Sequence, residues 1–260
     1  MAQTKAKQRS KRDTFIEAEE LLTQRETNSS KRGRFTKAQL EKGGIVLNPK
    51  QTELYKGIRN NTLTICQGPA GTSKTFTACY TALSLLADGK INTIILTKPI
   101  QESGENLGFL PGTIAEKTDP FMKSYFSNFE KIVGKGTLEW MRATGEIIVE
   151  PLAYMRGTTY DNALMMMDES QNSTMTQLML WVTRLGENSK AIMMGDISQY
   201  DIRKADSKFL EFIKIYENDA DIFNFSFKAE DIVRNKFLIN IVEKYENWKL
   251  ANDSKTDRRK

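Results

Sequence analysis

The stretch from Thr62 to Ala87 reads TLTICQGPAGTSKTFTACYTALSLLA and contains three successive patterns. Its first residues, up to Cys66, form a short apolar run of the kind that predicts a buried strand. Its last residues, from Phe76 onward, place apolar side chains at the three- and four-residue spacing of an amphipathic helix. A glycine-bearing turn lies between them, so the stretch predicts a strand, a tight loop and a helix in succession.

The loop between this strand and this helix has the composition of a phosphate-binding loop. It consists of eight consecutive residues: Gly68, Pro69, Ala70, Gly71, Thr72, Ser73, Lys74 and Thr75. Successive backbone N–H groups of such a loop surround a phosphate, and the following helix directs its positive end at the anion. In this pattern Lys74 reaches the terminal phosphates and the Thr75 hydroxyl binds Mg²⁺. The loop therefore predicts a nucleotide site.

One position departs from the common pattern GxxxxGK[ST], because Ser73 stands where the last glycine is usual. Glycine is favoured there because the backbone turns sharply and lies close to the phosphate, where a Cβ is unwelcome. A glycine-rich turn that binds no ligand is the alternative interpretation. Because of Ser73, a second function also stays open: a protein that binds a nucleotide but hydrolyses it slowly or not at all.

The composition excludes several classes of catalytic site. The 260 residues contain no histidine, which excludes Ser-His-Asp and Cys-His catalysis and histidine metal sites. The two cysteines, Cys66 and Cys79, flank the loop and predict buried thiols rather than a disulfide framework. No run of 18 apolar residues occurs, so we expect a cytoplasmic protein without a membrane partner, in the host cytoplasm if it is viral.

The distribution of charge predicts a core between two basic ends. Residues 1–44 carry 11 basic and 6 acidic side chains, whereas residues 45–260 carry 27 of each. We expect residues 1–43 to be a basic, mostly disordered tail, residues 44–249 to be the folded domain, and residues 250–260 to be a second basic tail. Basic tails favour a polyanionic partner such as RNA or single-stranded DNA, and solvated ends without a partner are the alternative.

Apolar runs along the rest of the chain alternate with helical patterns. The expected strands are residues 63–66, 93–97, 147–149, 164–167, 191–194 and 222–227. Helices are expected to begin near Pro49 and at Asp119-Pro120, because Asn or Asp before Pro is a common helix start. A long helix is expected from Glu230, because Phe237, Ile241, Tyr245 and Trp248 follow at helical spacing. Strands that alternate with helices predict an α/β fold whose parallel sheet is covered on both faces.

Polar residues follow three of these strands. The first strand leads into the phosphate loop, the fourth ends on Asp168 and Glu169, and the fifth is followed by Asp196 and Gln199. Because ligands of parallel sheets bind beyond the carboxyl ends of the strands, we expect these residues to converge. Asp168 would hold Mg²⁺ opposite Thr75, and Glu169 would orient or deprotonate the water that attacks the γ-phosphate. Gln199 would sense that phosphate or cap the next helix.

Phosphoryl transfer also requires positive charge beside the transferred group. The candidates are Lys98, Arg156 and Arg234, and each could equally be a solvated surface charge.

Several segments occur in the order found in the PhoH-like family: the loop Gly68–Thr75, LTKPIQESGENLGFLPG, PLAYMRGTTYDNA, DESQN, MMGDISQYD and DIVRNKFLINIVEKY. The chain resembles this family over residues 46–248. The resemblance implies a single RecA-like P-loop NTPase domain, similar to the core of superfamily 1 helicases. It also implies Mg²⁺-dependent ATP hydrolysis, a role on RNA, and a ring-shaped homo-oligomer, with a hexamer among the expected forms. The short chain resembles the bacteriophage members.

The resemblance also assigns roles to individual residues. It makes Gln51 the adenine reader, Asp168 and Glu169 the acidic pair, and Gln199 the γ-phosphate sensor. It makes Arg234 a finger that serves the site of a neighbouring subunit, and Arg156 stays a candidate nucleotide-binding residue. Two other functions remain open: a nucleotide-binding regulator or assembly subunit with little turnover, and a P-loop kinase that phosphorylates a small molecule.

Overall fold

Six parallel strands form one sheet in the computed structural model, which describes residues 35–99, 118–203 and 205–233 together with 240, 241 and 244. The strands are β1 (Leu63–Gln67), β2 (Thr93–Thr97), β3 (Ile147–Val149), β4 (Ala163–Met167), β5 (Lys190–Gly195) and β6 (Ile222–Ser226). Their order across the sheet is β3-β2-β4-β5-β1-β6, and every neighbouring pair is parallel. The predicted parallel sheet is confirmed.

Seven α-helices lie among the described residues. They are α1 (Lys37–Glu41), α2 (Pro49–Asn60), α3 (Lys74–Ala87), α4 (Lys123–Val133), α5 (Lys135–Thr144), α6 (Met175–Val182) and α7 (Phe209–Ile215). The predicted start of α2 is confirmed by a capping box. The Asn48 Oδ1 accepts the N–H of Gln51 at 2.8 Å, and the Gln51 Oε1 accepts the N–H of Asn48 at 2.9 Å.

Alternate residues of the central strands form one core on a single face of the sheet. Strand side chains in this cluster include Leu63, Ile65, Met165, Met167, Ala191 and Met193, and helices α6 and α7 add Leu178, Trp181, Phe209 and Phe212. The period of two follows from strand geometry, since successive side chains point to opposite faces. The intervening strand residues, such as Cys66 and Met166, are also fully buried, so the sheet is covered on both faces.

The sheet order brings three strand ends next to one another. In the register of the sheet, Gln67 of β1 pairs with Gly195 of β5, and Met167 of β4 pairs with Met193 of β5. The residues that follow β4, β5 and β1 therefore leave the same edge of the sheet at its centre. These are the three segments that were expected to converge.

Helix α4 begins later than predicted. Asp119 does not cap a helix at Pro120, because both of its carboxylate oxygens accept from Nη2 of Arg142 on α5, at 2.7 and 2.8 Å. Residues 119–122 form turns, and the helix begins at Lys123. Its buried residues are Tyr125, Phe129 and Ile132.

Helix α1 bears on the expected domain boundaries, which stay a prediction. The chain divides into two units, residues 1–35 and 36–260, and α1 lies inside the stretch predicted as a tail. Leu40 of α1 is buried, so the folded region includes residues before the predicted boundary at 43. The helix expected from Glu230 is replaced at its start by a 3₁₀ turn, Ala229–Asp231, and residues 234–239 and 245–260 lie outside the described part. No helix in the described part is long and apolar enough to cross a membrane.

Candidate functional site

A cavity of about 600 Å³ lies where the ends of β1, β4 and β5 meet. Of the predicted site residues, it is lined by Gln51, Ala70, Gly71, Ser73, Lys74, Thr75, Asp168, Glu169 and Gln199. The structure therefore brings the phosphate loop, the acidic pair and the residues after β5 together around one space.

The loop after β1 adopts a backbone that few side chains tolerate. Gly68 has φ of 150° and Gly71 has φ of 88°. A Cβ at Gly68 would lie 2.7 Å from the Cβ of Phe227 and 2.9 Å from its carbonyl oxygen, so only glycine fits there. Ser73 has φ of 68° and ψ of 27°, in the left-handed region. The missing glycine of the pattern thus falls on a position where the backbone favours glycine.

Lys74 and the rest of the loop hold one another in place. The Lys74 ammonium donates to the carbonyl oxygens of Gly68 at 2.5 Å and of Pro69 at 2.9 Å. The Thr72 hydroxyl also donates to the Pro69 carbonyl at 2.9 Å. The ammonium group therefore lies against the loop backbone, at the start of α3, where a terminal phosphate would be met by lysine and by the helix N-terminus together.

The Thr75 hydroxyl donates to Oδ2 of Asp168 at 3.1 Å, which joins the start of α3 to the end of β4. Burial raises the pKa of Asp168, and the nearby Glu169 carboxylate raises it further. Lys98, the hydrogen bond from Thr75 and Lys74 act in the opposite direction. A hydroxyl and a desolvated carboxylate are oxygen ligands of the kind that Mg²⁺ prefers, and the bound cation would relieve the cost of burying the charge. These residues fit the predicted metal.

The side chain of Glu169 is held from two directions. Its Oε1 lies 3.6 Å from the Lys98 ammonium at the end of β2, and its Oε2 accepts from Nε2 of Gln171 at 2.7 Å. Its backbone has φ of 56°, which is uncommon for a residue with a side chain. Of the two candidate cations that the structure describes, Lys98 and Arg156, it is Lys98 that lies beside the acidic pair.

The segment after β5 contributes a buried carboxylate. The Asp196 Oδ1 accepts from the N–H and the hydroxyl of Ser198 at 2.9 and 2.6 Å. Its Oδ2 is buried and has no hydrogen-bond partner among the described residues. The Gln199 N–H donates to the Asp196 carbonyl at 3.2 Å, and the exposed Gln199 side chain lines the cavity. Asp196 and Gln199 thus both line the space between the loop and the acidic pair.

Gln51 lines the cavity from α2, with its Oε1 engaged in the capping box. No hydrogen bond among the described residues uses its Nε2. Arg156 is placed elsewhere: it lines a second groove with Met175, Met179 and Arg184. Arg234 lies outside the described residues, although the N–H of the preceding Val233 donates to the Gly71 carbonyl at 3.2 Å.

Two groups of site residues were not identified from the sequence. Helix α4 turns a polar face to the cavity, formed by Ser124, Ser127, Asn128 and Lys131. Their spacing of three and four residues marks one helix face, but nothing in that spacing points to a nucleotide. Gln171 was not identified because its contact with Asp196, 25 positions along the chain, arises only in the fold.

The chain is similar to known proteins of one family. The family model described as "PhoH-like protein" matches residues 45–246. A PhoH-like protein of Bacillus subtilis is 39% identical over 197 residues, which are 75% of this chain and 62% of that protein. Protein PhoH of Escherichia coli K12 is 34% identical over 194 residues, which are 74% of this chain and 55% of that protein. The chain thus spans about 60% of the length of these curated relatives.

Among solved structures, a large terminase from a thermophilic bacteriophage superposes with a TM-score of 0.51 at 11% identity. The superposition covers 78% of this chain and 50% of the terminase chain. A likeness at this identity concerns the fold alone. The family match, the phosphate loop and the parallel sheet lead to one assignment: the chain belongs to the PhoH-like family and has the RecA-like α/β fold of a P-loop NTPase.

Proposed function

We propose that this protein binds ATP with Mg²⁺, hydrolyses it, and couples hydrolysis to RNA or single-stranded DNA in a helicase-like manner. The observation that carries the proposal is the convergence of three strand ends on one cavity. There the Thr75 hydroxyl contacts Asp168 at 3.1 Å, and Glu169 is the next residue. A phosphate loop alone would support binding, whereas the adjacent acidic pair supports hydrolysis.

Binding rests on the loop and on α3. The loop N–H groups and the helix N-terminus would surround the phosphates, and the Lys74 ammonium would exchange its backbone carbonyl partners for phosphate oxygens. Mg²⁺ would be held by Thr75 and Asp168 and would neutralise charge on the phosphates. Gln51 would donate its Nε2 to the adenine from the wall of the cavity.

Hydrolysis rests on Glu169 and on the charges near it. Its carboxylate would orient a water and accept its proton as the water attacks the γ-phosphate. The Lys98 ammonium, 3.6 Å from Glu169, would add positive charge near the group in transfer. Gln199 would contact the γ-phosphate from the segment after β5. When the phosphate leaves after hydrolysis, the loss of this contact would allow that segment to move.

The nucleic-acid part of the proposal rests on charge. Residues 1–34 hold nine basic and five acidic side chains, a net charge of +4 in a chain whose total is +5. Phosphate backbones bind such segments through salt-dependent contacts. The bacteriophage-type assignment, the superfamily 1 assignment and the cytoplasmic location stay predictions.

ATP hydrolysis measured with and without single-stranded RNA and single-stranded DNA tests the coupling. We expect basal hydrolysis that either RNA or single-stranded DNA stimulates, and we expect high salt to remove the stimulation. Equal rates with and without both nucleic acids, at low salt, would contradict the coupling. Phosphate transfer to a small molecule, with no hydrolysis in its absence, would favour the kinase instead.

Ser73 favours a second candidate, a nucleotide-binding regulator with little turnover. Its left-handed backbone (φ of 68°) is strained for a residue with a side chain and lies where the loop meets the phosphates. A regulator of this kind would bind ATP as tightly as an ATPase and release almost no phosphate. A wild-type turnover near zero, raised many-fold by Ser73→Gly, would support the regulator.

We also propose a ring-shaped oligomer in which Arg234 approaches the ATP of the neighbouring subunit. An arginine supplied in trans typically speeds phosphoryl transfer by about 10³-fold or more. Arg234→Ala and Glu169→Gln should each be inactive, but a mixture should regain activity at interfaces that pair an intact Glu169 with an intact Arg234. Because Val233 contacts the Gly71 backbone of its own chain, a role in the same subunit is the competing outcome. Mixtures without any recovery, or a fully active monomer, would contradict the role of Arg234 at a neighbouring site.

A further inference from the structure

A buried glutamine connects two of the strand ends that form the site. Gln171 lies in the 3₁₀ turn Ser170–Asn172 that follows β4, and only 2% of its surface is exposed. Its Nε2 donates to Oε2 of Glu169 at 2.7 Å, and its Oε1 accepts the N–H of Asp196 at 3.0 Å. One amide group therefore contacts the acidic pair after β4 and the backbone at the end of β5.

The partners fix which way this amide points. A carboxylate accepts hydrogen bonds and a backbone N–H donates them, so the NH₂ must face Glu169 and the oxygen must face Asp196. Glutamine offers a donor and an acceptor in one planar group. A glutamate would keep the acceptor and set a second carboxylate against Glu169, whereas a methionine of similar length would lose both bonds. Since the group is buried, bonds left unmade here are not replaced by water.

We propose that Gln171 is a positioning residue that holds the Glu169 carboxylate for the attacking water and couples it to the segment Asp196–Gln199. The inference rests on the proposed ATP hydrolysis. Lys98 holds one oxygen of Glu169 and Gln171 holds the other, so the carboxylate is fixed from the ends of two different segments. The left-handed backbone at Glu169 is not favoured by the residue itself, and tertiary contacts must maintain it.

The coupling follows the backbone after β5. The Asp196 N–H binds Gln171, and the Asp196 carbonyl accepts the N–H of Gln199. A shift of this turn when Gln199 meets or loses the γ-phosphate would move the Asp196 N–H, and with it the amide that orients Glu169. The sensor and the residue that activates water would then respond together.

Hydrogen exchange in the nucleotide-free protein tests the bridge without any turnover. In Gln171→Met the Asp196 amide loses its acceptor, so we expect its exchange to become about fivefold to tenfold faster. In Gln171→Glu the carboxylate still accepts this N–H, and exchange should stay close to that of the wild type. Unchanged exchange at Asp196 in Gln171→Met would overturn the bridge.

Kinetics test the positioning role. Gln171→Glu should lower kcat about 10- to 100-fold, because a misdirected carboxylate no longer orients the water. Its dissociation constant for ATP with Mg²⁺, measured by calorimetry, should stay within about twofold of the wild type, since the described hydrogen bonds of the Gln171 side chain go to Glu169 and Asp196 and not to the phosphate loop.

Asn172→Asp is the matched control. Asn172 is the next residue of the same turn, is also buried, and donates its Nδ2 to Oδ2 of Asp201 at 2.6 Å. The substitution sets one carboxylate against another, as Gln171→Glu does, but the second carboxylate is that of Asp201 instead of Glu169. It should lower stability comparably and leave kcat within about twofold.

These experiments distinguish a failure of the proposed ATP hydrolysis from a failure of the positioning role of Gln171. A wild type that binds ATP and never hydrolyses it would overturn the proposed function and the positioning role together. A wild type that hydrolyses ATP, with Gln171→Glu equally fast or Asn172→Asp equally slow, would overturn the positioning role alone.

Discussion

Ser73 adopts a backbone conformation that costs a residue with a Cβ about 1–2 kcal/mol relative to the right-handed region. The loop keeps it there because the residues on both sides are tied down. The N–H and the hydroxyl of Thr77 both donate to the Ser73 carbonyl oxygen, each at 2.9 Å. Lys74 donates to the carbonyl oxygens of Gly68 and Pro69. Contacts made elsewhere in the loop therefore offset the local strain.

Ser73→Gly is expected to stabilise the nucleotide-free protein by up to about 1 kcal/mol, because relief of the strain outweighs the extra freedom that glycine gives the unfolded chain. Chemical denaturation measures the change. Ser73→Ala is the control, since it keeps the Cβ and the strain. A glycine variant no more stable than the alanine variant would show that the position is not strained.

The types of site residue were predictable from the sequence, but their pairings were not. Lysine and threonine in the loop and the Asp168-Glu169 pair are each typical of this chemistry. The contact of Lys98 with Glu169 joins residues 71 positions apart, and no local pattern reports such a distance. Gln171 is a similar case: Glu169 lies two residues away along the chain, but Asp196 becomes a partner only because β4 and β5 lie side by side.

Helix starts show how tertiary contacts override local signals. Asn48-Pro49 and Asp119-Pro120 carry the same signal, yet only the first begins a helix. Asn48 is free to cap α2, whereas the carboxylate of Asp119 is drawn to Arg142 of α5. The prediction failed at Asp119 because the sequence does not reveal which competing partner a carboxylate will meet.

The start of α2 also positions Gln51, which gives a prediction at this scale. Gln51→Ala should weaken ATP binding and remove discrimination between ATP and GTP, because the Nε2 donor would be lost. Asn48→Ala should cost about 1 kcal/mol of stability through the lost cap, and should keep that discrimination. Binding of the two nucleotides to both variants by calorimetry makes the comparison. Discrimination that survives in Gln51→Ala would exclude Gln51 as the adenine reader.

At the scale of the whole molecule, apolar runs and their alternation with helices were enough to predict six parallel strands. The order β3-β2-β4-β5-β1-β6 was not predictable, because strand periodicity contains no information about which strands are neighbours. The site could nevertheless be predicted, since it required only that the carboxyl ends of the strands share one edge. The position of Arg156 in another groove shows the limit of that argument, because a loop can turn away from the edge.

Deletion of residues 1–34 should leave the fold and ATP binding intact and should weaken binding to RNA. The deletion removes a net charge of +4, so the dependence of log Kd on salt should become shallower. Deletion of residues 1–43 should in addition lower the free energy of unfolding by about 1.5–3 kcal/mol, because it removes the buried Leu40. RNA affinity that is the same with and without residues 1–34, at low and high salt, would leave this segment without the proposed role.

The rate of phosphate release from ATP with Mg²⁺, compared among the wild type, Lys74→Ala and Glu169→Gln, tests the central claim most directly. The wild type should release phosphate, Lys74→Ala should neither bind nor hydrolyse ATP, and Glu169→Gln should bind ATP while its hydrolysis falls by about 100-fold or more. That pattern separates the phosphate loop, which binds, from the carboxylate, which activates water. Hydrolysis by Glu169→Gln at the wild-type rate, or unchanged ATP affinity in Lys74→Ala, would contradict the account.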